Sequence, residues 1–361
     1  MAHRVTLIPG DGVGPNVIDA ARAVLEATGV AFEWDRKDAG AEHHERGGEP
    51  LGADVLDSIR ERGVALKGPT STPTGAGFRS INLLLRDQLD LYAGVRPCKA
   101  FDGVHSARAG TDVVIVRMNH EDLYAGIEYE HDGGDGAALR EFIARTRGRR
   151  LADDVGLSIK PLSRAASERV IRYAFEYARA HGRRKVTAVH KATVMRHTDG
   201  LFLQVASAVR AEYPEIEFEE RLVDAMAAEL IAHPERCDVL ALPVMYGDIL
   251  SDVAAALVGG VGLAPGMNVG DGVAVFEAVH GTAPKHRGRD RVNPAAAILS
   301  GAMMLRHLGE QDAADRLERA IGRVIREGAV LTYDLQPPGR ASRAAGTCAF
   351  AEAVAAALGR E

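Results

Sequence analysis

The sequence predicts an α/β fold built on a mostly parallel sheet. Two observations carry this. Apolar runs of four to seven residues, too short for helices, alternate with segments whose apolar residues recur every three or four positions. The first of these joins is a glycine- and proline-bearing turn, Gly10-Asp11-Gly12-Val13-Gly14-Pro15. Such alternation favours parallel strands joined by crossover helices. At roughly 150 residues per domain, the 361-residue length predicts two domains.

The elements follow in order. Residues 4–8 form a strand that enters the glycine turn, and residues 17–27 form a helix with Val17, Ala20, Ala21, Val24 and Leu25 on one face. A strand is expected at 31–35, a helix at 55–62 and a short buried strand at 64–67. Residues 111–117 give the clearest strand of the first third. A helix at 166–181, strands at 185–190 and 237–242, a small-residue helix at 249–258, a strand at 273–276 and a long helix at 295–308 complete the pattern. Residues 130–163, with Gly133-Gly134 and a charged run, break the rhythm. They read equally as an inserted strand pair used for association and as a solvated loop.

Composition excludes several classes. Hydrophobic residues are 46% and charged residues 26%, so the chain is neither disordered nor collagenous. A net charge of −6 argues against nucleic acid as a partner. Three separated cysteines, Cys98, Cys237 and Cys348, suggest neither a disulfide framework nor a zinc site. With no signal-peptide pattern at the N-terminus and no long apolar stretch, no membrane segment is expected and the cytoplasm is the expected compartment.

Five clusters carry chemistry. Gly10, Gly12 and Gly14 are spaced Gly-x-Gly-x-Gly, which fails the Rossmann fingerprint and reads as a plain βα turn. Arg79, Asn82 and Arg86 share one helix face, Ser80 is placed to cap that helix, and Arg96 and Arg117 lie in separate strand-like runs. Converging guanidiniums suit a ligand with several carboxylates, although solvated helix charge is the plainer alternative. Asp248 and Asp252, four apart in the expected first turns of a helix, suit a hard divalent ion or simply the helix dipole. Lys191 ends an apolar strand and would project into a crevice as a base, or lie on the surface. Residues 277–286 form a polar loop that wraps an adenosine or merely connects.

Read together, Ser80-x-Asn82-x-x-x-Arg86, Arg96-Pro97, Arg117-x-Asn119, Asp122 with Tyr124 and Gly126, His190-Lys191, Asp199-Gly200, Tyr246-Gly247-Asp248 with Ser251 and Asp252, and His280-Gly281-Thr282-Ala283-Pro284 occur in this order. They resemble the metal-dependent β-decarboxylating dehydrogenases of isocitrate, isopropylmalate and homoisocitrate. The likeness runs from Thr6 to about Ala357. It implies an isopropylmalate dehydrogenase-like fold with two α/β domains sharing a large mixed sheet and a non-Rossmann dinucleotide site. The implied large domain is 1–92 with 259–361, the small domain 93–127 with 164–258, and residues 128–163 form a clasp-like insertion that knits a homodimer.

Ser80 and Asn82 resemble the isocitrate branch, where this helix meets a γ-carboxylate; the isopropylmalate branch is apolar there. The resemblance implies that Arg86, Arg96 and Arg117 bind the substrate carboxylates. It implies that Asp248, Asp252 and Asp224 of the partner subunit hold Mg²⁺ or Mn²⁺. Lys191, also lent by the partner, would act with Asp248 as base, and Tyr124 would protonate C3. Thr72, Thr193, His280, Gly281, Thr282, Ala283, Lys285, His286, Val292, Asn293 and Tyr333 fall at cofactor positions. Lys285 and His286 stand where NAD enzymes of the family carry an aspartate, which favours NADP over NAD. Pro337-Pro338 departs from the NADP pattern, with Arg340 as a substitute.

Other departures are Met118, His120 and Thr193. They motivate a specialised enzyme for an isocitrate-like 3-substituted malate, with His120 favouring a more anionic γ-group such as a phosphonate in place of the tricarboxylate's. A non-catalytic regulatory subunit is the alternative of another class. Retention of Tyr124, Lys191, Asp224, Asp248 and Asp252 argues for the enzyme.

Overall fold

The protein is described from a computed structural model covering residues 2–72, 77–337, 339 and 344–360; Pro338 and Arg340 lie outside these. Strands are β1 (His3–Ile8), β2 (Phe32–Arg36), β3 (Val64–Lys67), β4 (Ala93–Lys99), β5 (Asp112–Met118), β6 (Glu128–Tyr129), β7 (Leu157–Ser158), β8 (Lys185–His190), β9 (Glu217–Leu222), β10 (Val239–Leu242), β11 (Pro265–Gly270) and β12 (Val273–Ala278). Helices are α1 (Gly14–Glu26), α2 (Ala41–Glu45), α3 (Ala53–Arg62), α4 (Ile81–Gln88), α5 (Gly134–Arg147), α6 (Arg164–Ala180), α7 (Asp199–Val209), α8 (Val223–Ala232), α9 (Val244–Leu257), α10 (Ala295–His307), α11 (Gln311–Glu327) and α12 (Thr347–Leu358).

Ten strands form one mixed sheet in the order β2-β1-β3-β12-β11-β4-β5-β10-β8-β9. Its two wings are parallel, as the alternation predicts. The centre is not: β12, β11, β4 and β5 pair antiparallel in succession. Six of the nine pairings are parallel, so the mostly parallel expectation holds, and the antiparallel seam makes the sheet mixed, as the resemblance implies.

Period-two alternation divides the core between the two faces. Val114 and Val116 of β5 join the cluster beneath α1, α6, α7, α10, α11 and α12. Val113 and Ile115 of the same strand join a second cluster with Leu250, Ala254 and Ala255 of α9 and Met226 of α8. A third cluster joins Ala65 of β3 and Val275 of β12 to Val55 and Ile59 of α3 and Ile81 and Leu85 of α4. Each fully buried Val, Leu or Ile contributes roughly 1.5–3 kcal/mol over exposure. The seam between the second and third clusters is where the polar site opens.

Of the two readings of the inserted segment, the strand pair is observed, β6 with β7 across residues 128–158, and it encloses helix α5. That helix buries only Gly136 within the chain, and its apolar residues Leu139, Phe142 and Ile143, at helical spacing, stay at least partly uncovered, Phe142 being exposed. Among the described residues no helix is long and apolar enough to cross a membrane.

Candidate active site

Five neighbouring strands deliver the site. On β3, β12, β11, β4 and β5 the residues that alternate away from the first core are Lys67, Glu277, Asn268, Arg96 and Arg117. Lys67 Nζ donates to Glu277 Oε2 at 2.7 Å, and the two residues are parallel-register partners. Asn268 Nδ2 donates to Glu277 Oε1 at 2.8 Å, and Asn119 Nδ2 donates to Asn268 Oδ1 at 2.9 Å. Burial disfavours the Glu277 charge, yet Lys67 and Arg86 outweigh it and hold its pKa down to about 2. Arg86, from α4, is 7% exposed and lies 4.0 Å from Glu277.

Asp248 is the hub on the other side. Arg117 and Arg96 both reach its Oδ1, the latter at 3.2 Å, and the Tyr124 hydroxyl donates to Oδ2. Arg96 also donates to Ser251 Oγ. Burial pushes the Asp248 carboxyl up, but Arg117, Arg96 and the tyrosine hydroxyl prevail and hold it below its usual range. Tyr124 is pushed up by burial and by its bond to Asp248, so its phenol stays protonated at neutral pH. Arg117 is depressed by burial and by repulsion from Arg96 and Arg86. It packs against two glycines, Gly247 of α9 and Gly94, its register partner on β4. A Cβ on Gly247 would lie 2.3 Å from Arg117 Cβ, and one on Gly94 would lie 3.2 Å from Arg117 Cγ.

Asn82, Arg86 and Arg96 line a cavity of about 110 Å³ floored by Asn268 and Glu277 and rimmed by His280 and Gly281. Around it four cations, Lys67, Arg86, Arg96 and Arg117, face two carboxylates, Glu277 and Asp248. A surplus of desolvated positive charge beside a cleft suits a polyanion.

Several expected residues sit elsewhere. Arg79 precedes α4 instead of sharing its face, and pairs with Asp87 at 2.6 Å. Ser80 occupies the N-cap position without a side-chain capping bond and does not line the cavity. His120 lies between Asp87 and Asp90, at 3.5 Å from each, also outside the cavity lining. Helix α9 begins at Val244, so Asp248 and Asp252 lie in its second and third turns, beyond reach of its N-terminal dipole. Lys191 Nζ pairs with Asp224 Oδ1 at 2.6 Å on an exposed surface that includes Thr193. Neither meets Asp248 within the chain.

The donor set fits a hard divalent cation. Asp248 and Asp252 are one helical turn apart, and Asp252 is exposed and forms no ion pair among the described residues. No three His, Cys, Asp or Glu gather to ligate a metal among the described residues of one chain.

The glycine turn after β1 packs on the polar loop: Val13 N donates to Thr282 O at 3.0 Å. Buried Asp11 accepts from Ala41, Glu42 and Ser71 N, and Ser71 Oγ meets Thr282 Oγ1 at 3.0 Å. This joins exposed Thr72 and residues 280–283 in one region. Ala283 has φ +39, a left-handed conformation preceding the single turn that carries Lys285 and His286. The His286 ring lies 5.6 Å from Tyr333, and Arg291 stacks on Tyr333 at 4.9 Å. Asn293 bonds Asp334 at 3.0 Å, whereas Val292 belongs to the first core. Sequence reasoning leaves out Lys67 and Asn268, and takes Glu277 only as the start of a loop. A charged residue closing the apolar run 64–67 was the available signal.

The chain matches the family model described as isocitrate/isopropylmalate dehydrogenase over residues 4–354. It is 43% identical over 332 residues to the probable isocitrate dehydrogenase [NAD] subunit alpha, mitochondrial, of Drosophila melanogaster, covering 92% of this chain and 83% of the relative. It is 42% identical over 328 residues to the chloroplastic 3-isopropylmalate dehydrogenase of Solanum tuberosum, covering 91% and 86%. The crystal structure of isocitrate dehydrogenase from Methylococcus capsulatus superimposes with a TM-score of 0.88 at 46% identity, covering 99% of both chains. With its motifs in order on a shared sheet, the chain belongs to the isocitrate/isopropylmalate dehydrogenase family.

Proposed function

We propose that this chain is an isocitrate dehydrogenase-like enzyme. It oxidises an isocitrate-like 3-substituted malate at C2 and releases CO₂, as a homodimer that prefers NADP to NAD and uses Mg²⁺ or Mn²⁺. The observation that carries the proposal is the surplus of buried guanidinium charge beside Asn82, a lining suited to a third carboxylate and unsuited to an alkyl group.

Arg86, Arg96 and Arg117 would bind and orient the substrate carboxylates. Arg96 and Arg117 would then turn from Asp248 to the substrate, and Asp248, Asp252 and Asp224 of the partner subunit would be the residues that hold a divalent cation. That cation would supply Lewis acidity at the substrate hydroxyl and at the enolate left by CO₂. Lys191 of the partner subunit would take the hydroxyl proton as hydride leaves C2. Tyr124, kept protonated by burial and Asp248, would deliver a proton to C3.

For the cofactor, Lys285, Arg289 and Arg291 form a cationic rim around buried His286, and no carboxylate forms an ion pair with these three among the described residues. Burial and neighbouring Lys285, Arg291 and Arg289 push the His286 imidazole down, a sign of the local excess of positive charge. This supports a 2′-phosphate, although the fly relative's name specifies NAD. A phosphonate γ-group finds no support, because His120 is flanked by Asp87 and Asp90. Division into large and small units along the antiparallel seam, and the cytoplasm as compartment, remain parts of the proposal.

The test is product analysis with isocitrate, NADP and Mn²⁺. Equal yields of reduced cofactor and CO₂, lost on chelation and regained with Mn²⁺, are expected. Cofactor reduction without CO₂, or a regulatory subunit's absence of turnover, contradicts the reading.

A further inference from the structure

One buried charge cluster has no part in the chemistry above. Lys160 follows β7, where the inserted segment returns to the body of the protein, and its side chain is only 12% exposed. Its Nζ lies 2.6 Å from Asp199 Oδ1 and 3.7 Å from Asp122 Oδ1, both residues with no solvent exposure. It also lies 4.6 Å above the Tyr246 ring and 3.4 Å from that hydroxyl. One ammonium thus serves two fully buried carboxylates.

Each carboxylate holds a different piece of backbone. Asp122 opens the single turn that carries Tyr124. Its Oδ1 accepts from Leu123 N at 2.8 Å, and its Oδ2 accepts from Met245 N at 3.1 Å, in the first turn of the helix bearing Asp248. Asp199 opens α7, and its Oδ2 accepts from Lys191 N at 2.7 Å. The turn before Tyr124 is strained, since Glu121 and Asp122 have φ of +63° and +53° without being glycine. That strain is held from the same segment as Lys160: Asp122 N donates to Pro161 O at 2.9 Å, and Ser163 N donates to Glu121 Oε2 at 2.6 Å.

We infer that Lys160 is a positioning residue, whose ammonium locks the Tyr124 turn and the Lys191 turn into one rigid unit. On the proposed reading, on which the kinetic part of this inference rests, Tyr124 serves its own site and Lys191 the partner's. Lys160 therefore couples the geometry of two active sites through about one side-chain length, while touching neither substrate.

The experiment compares Lys160→Met and Lys160→Arg with the unsubstituted chain, using isocitrate, NADP and Mn²⁺. A misplaced acid or base slows chemistry more than it weakens binding, so Lys160→Met should lower kcat by about tenfold or more with KM changed less than about threefold. Lys160→Arg, which keeps the charge, should recover most of that loss. A smaller loss of kcat, or a rise in KM that matches it, overturns the inference. If Lys160→Met does not fold, the charge-balanced double variant Lys160→Met with Asp199→Asn is read by the same criteria. A second readout needs no substrate, so a failure of the functional reading stays distinguishable. The ¹³Cζ resonance of Tyr124, assigned by its loss in Tyr124→Phe, should move in Lys160→Met and return in Lys160→Arg; an unmoved resonance overturns the positioning role.

Discussion

Glu277 shows how single residues set the charge of this site. Its carboxylate is held between Lys67, Arg86 and Asn268, and its pKa falls to about 2. An unfolded glutamate titrates near 4.3, so the ionised form is favoured by about 3 kcal/mol in the folded chain. The folded pKa lies below the unfolded one, so this stability is present above about pH 4.3 and is lost as pH falls toward 2. Denaturation across that range should show the loss, and Glu277→Gln should flatten it. The same variant leaves Lys67, 1% exposed, without its carboxylate. At neutral pH it should therefore lose about 3–5 kcal/mol of stability, as when one partner of a buried pair is removed. A variant as stable as the parent at pH 7 would show that the Lys67–Glu277 pair does not carry the charge balance described.

At the scale of elements, α9 and β5 are fitted to each other through Gly247. Gly247→Ala would set a methyl 2.3 Å from Arg117 Cβ, against a β-strand that cannot retreat. Overpacking of this kind costs about 1–3 kcal/mol. The variant should melt lower and lose turnover disproportionately, because Asp248 follows directly on the displaced turn. Unchanged melting and kinetics would mean that the helix rides freely over the strand. The same glycine explains why sequence places the start of this helix at 249 and the structure at Val244: glycine weakens local helix propensity, and a packing demand imposed it. Strand β11 hides for a related reason. Its Pro265-Gly266 start and Gly270 end read as loop, and only pairing with β12 and β4 on either side makes it a strand. By contrast β5, β8, α6 and α10 carry unbroken apolar patterns and are legible within a few residues. The arginines were legible as a set through motif order. Lys67 and Asn268 were not, because their partners lie 210 and 9 residues away, across strands whose register sequence does not reveal.

At the scale of the whole molecule, Lys191 and Asp224 pair on an exposed surface while Asp248 and Tyr124 sit at the cleft. If one subunit lends the first pair to the other, neither Tyr124→Phe nor Lys191→Met alone should work, yet their hybrids should. A hybrid dimer places both lesions in one site and leaves the other intact. Random pairing of two subunits then returns about a quarter of parental activity on co-expression. No recovery would place the entire reaction within one chain. Surplus guanidinium charge next to Asn82 would select a third carboxylate. The most direct measurement of that selection is kcat/KM for isocitrate against 3-isopropylmalate, each with Mn²⁺ and with NADP and NAD in turn. Isocitrate should be favoured by about 100-fold or more, since a buried guanidinium left unpaired by an alkyl group is heavily penalised. Equal or greater efficiency with 3-isopropylmalate would contradict it.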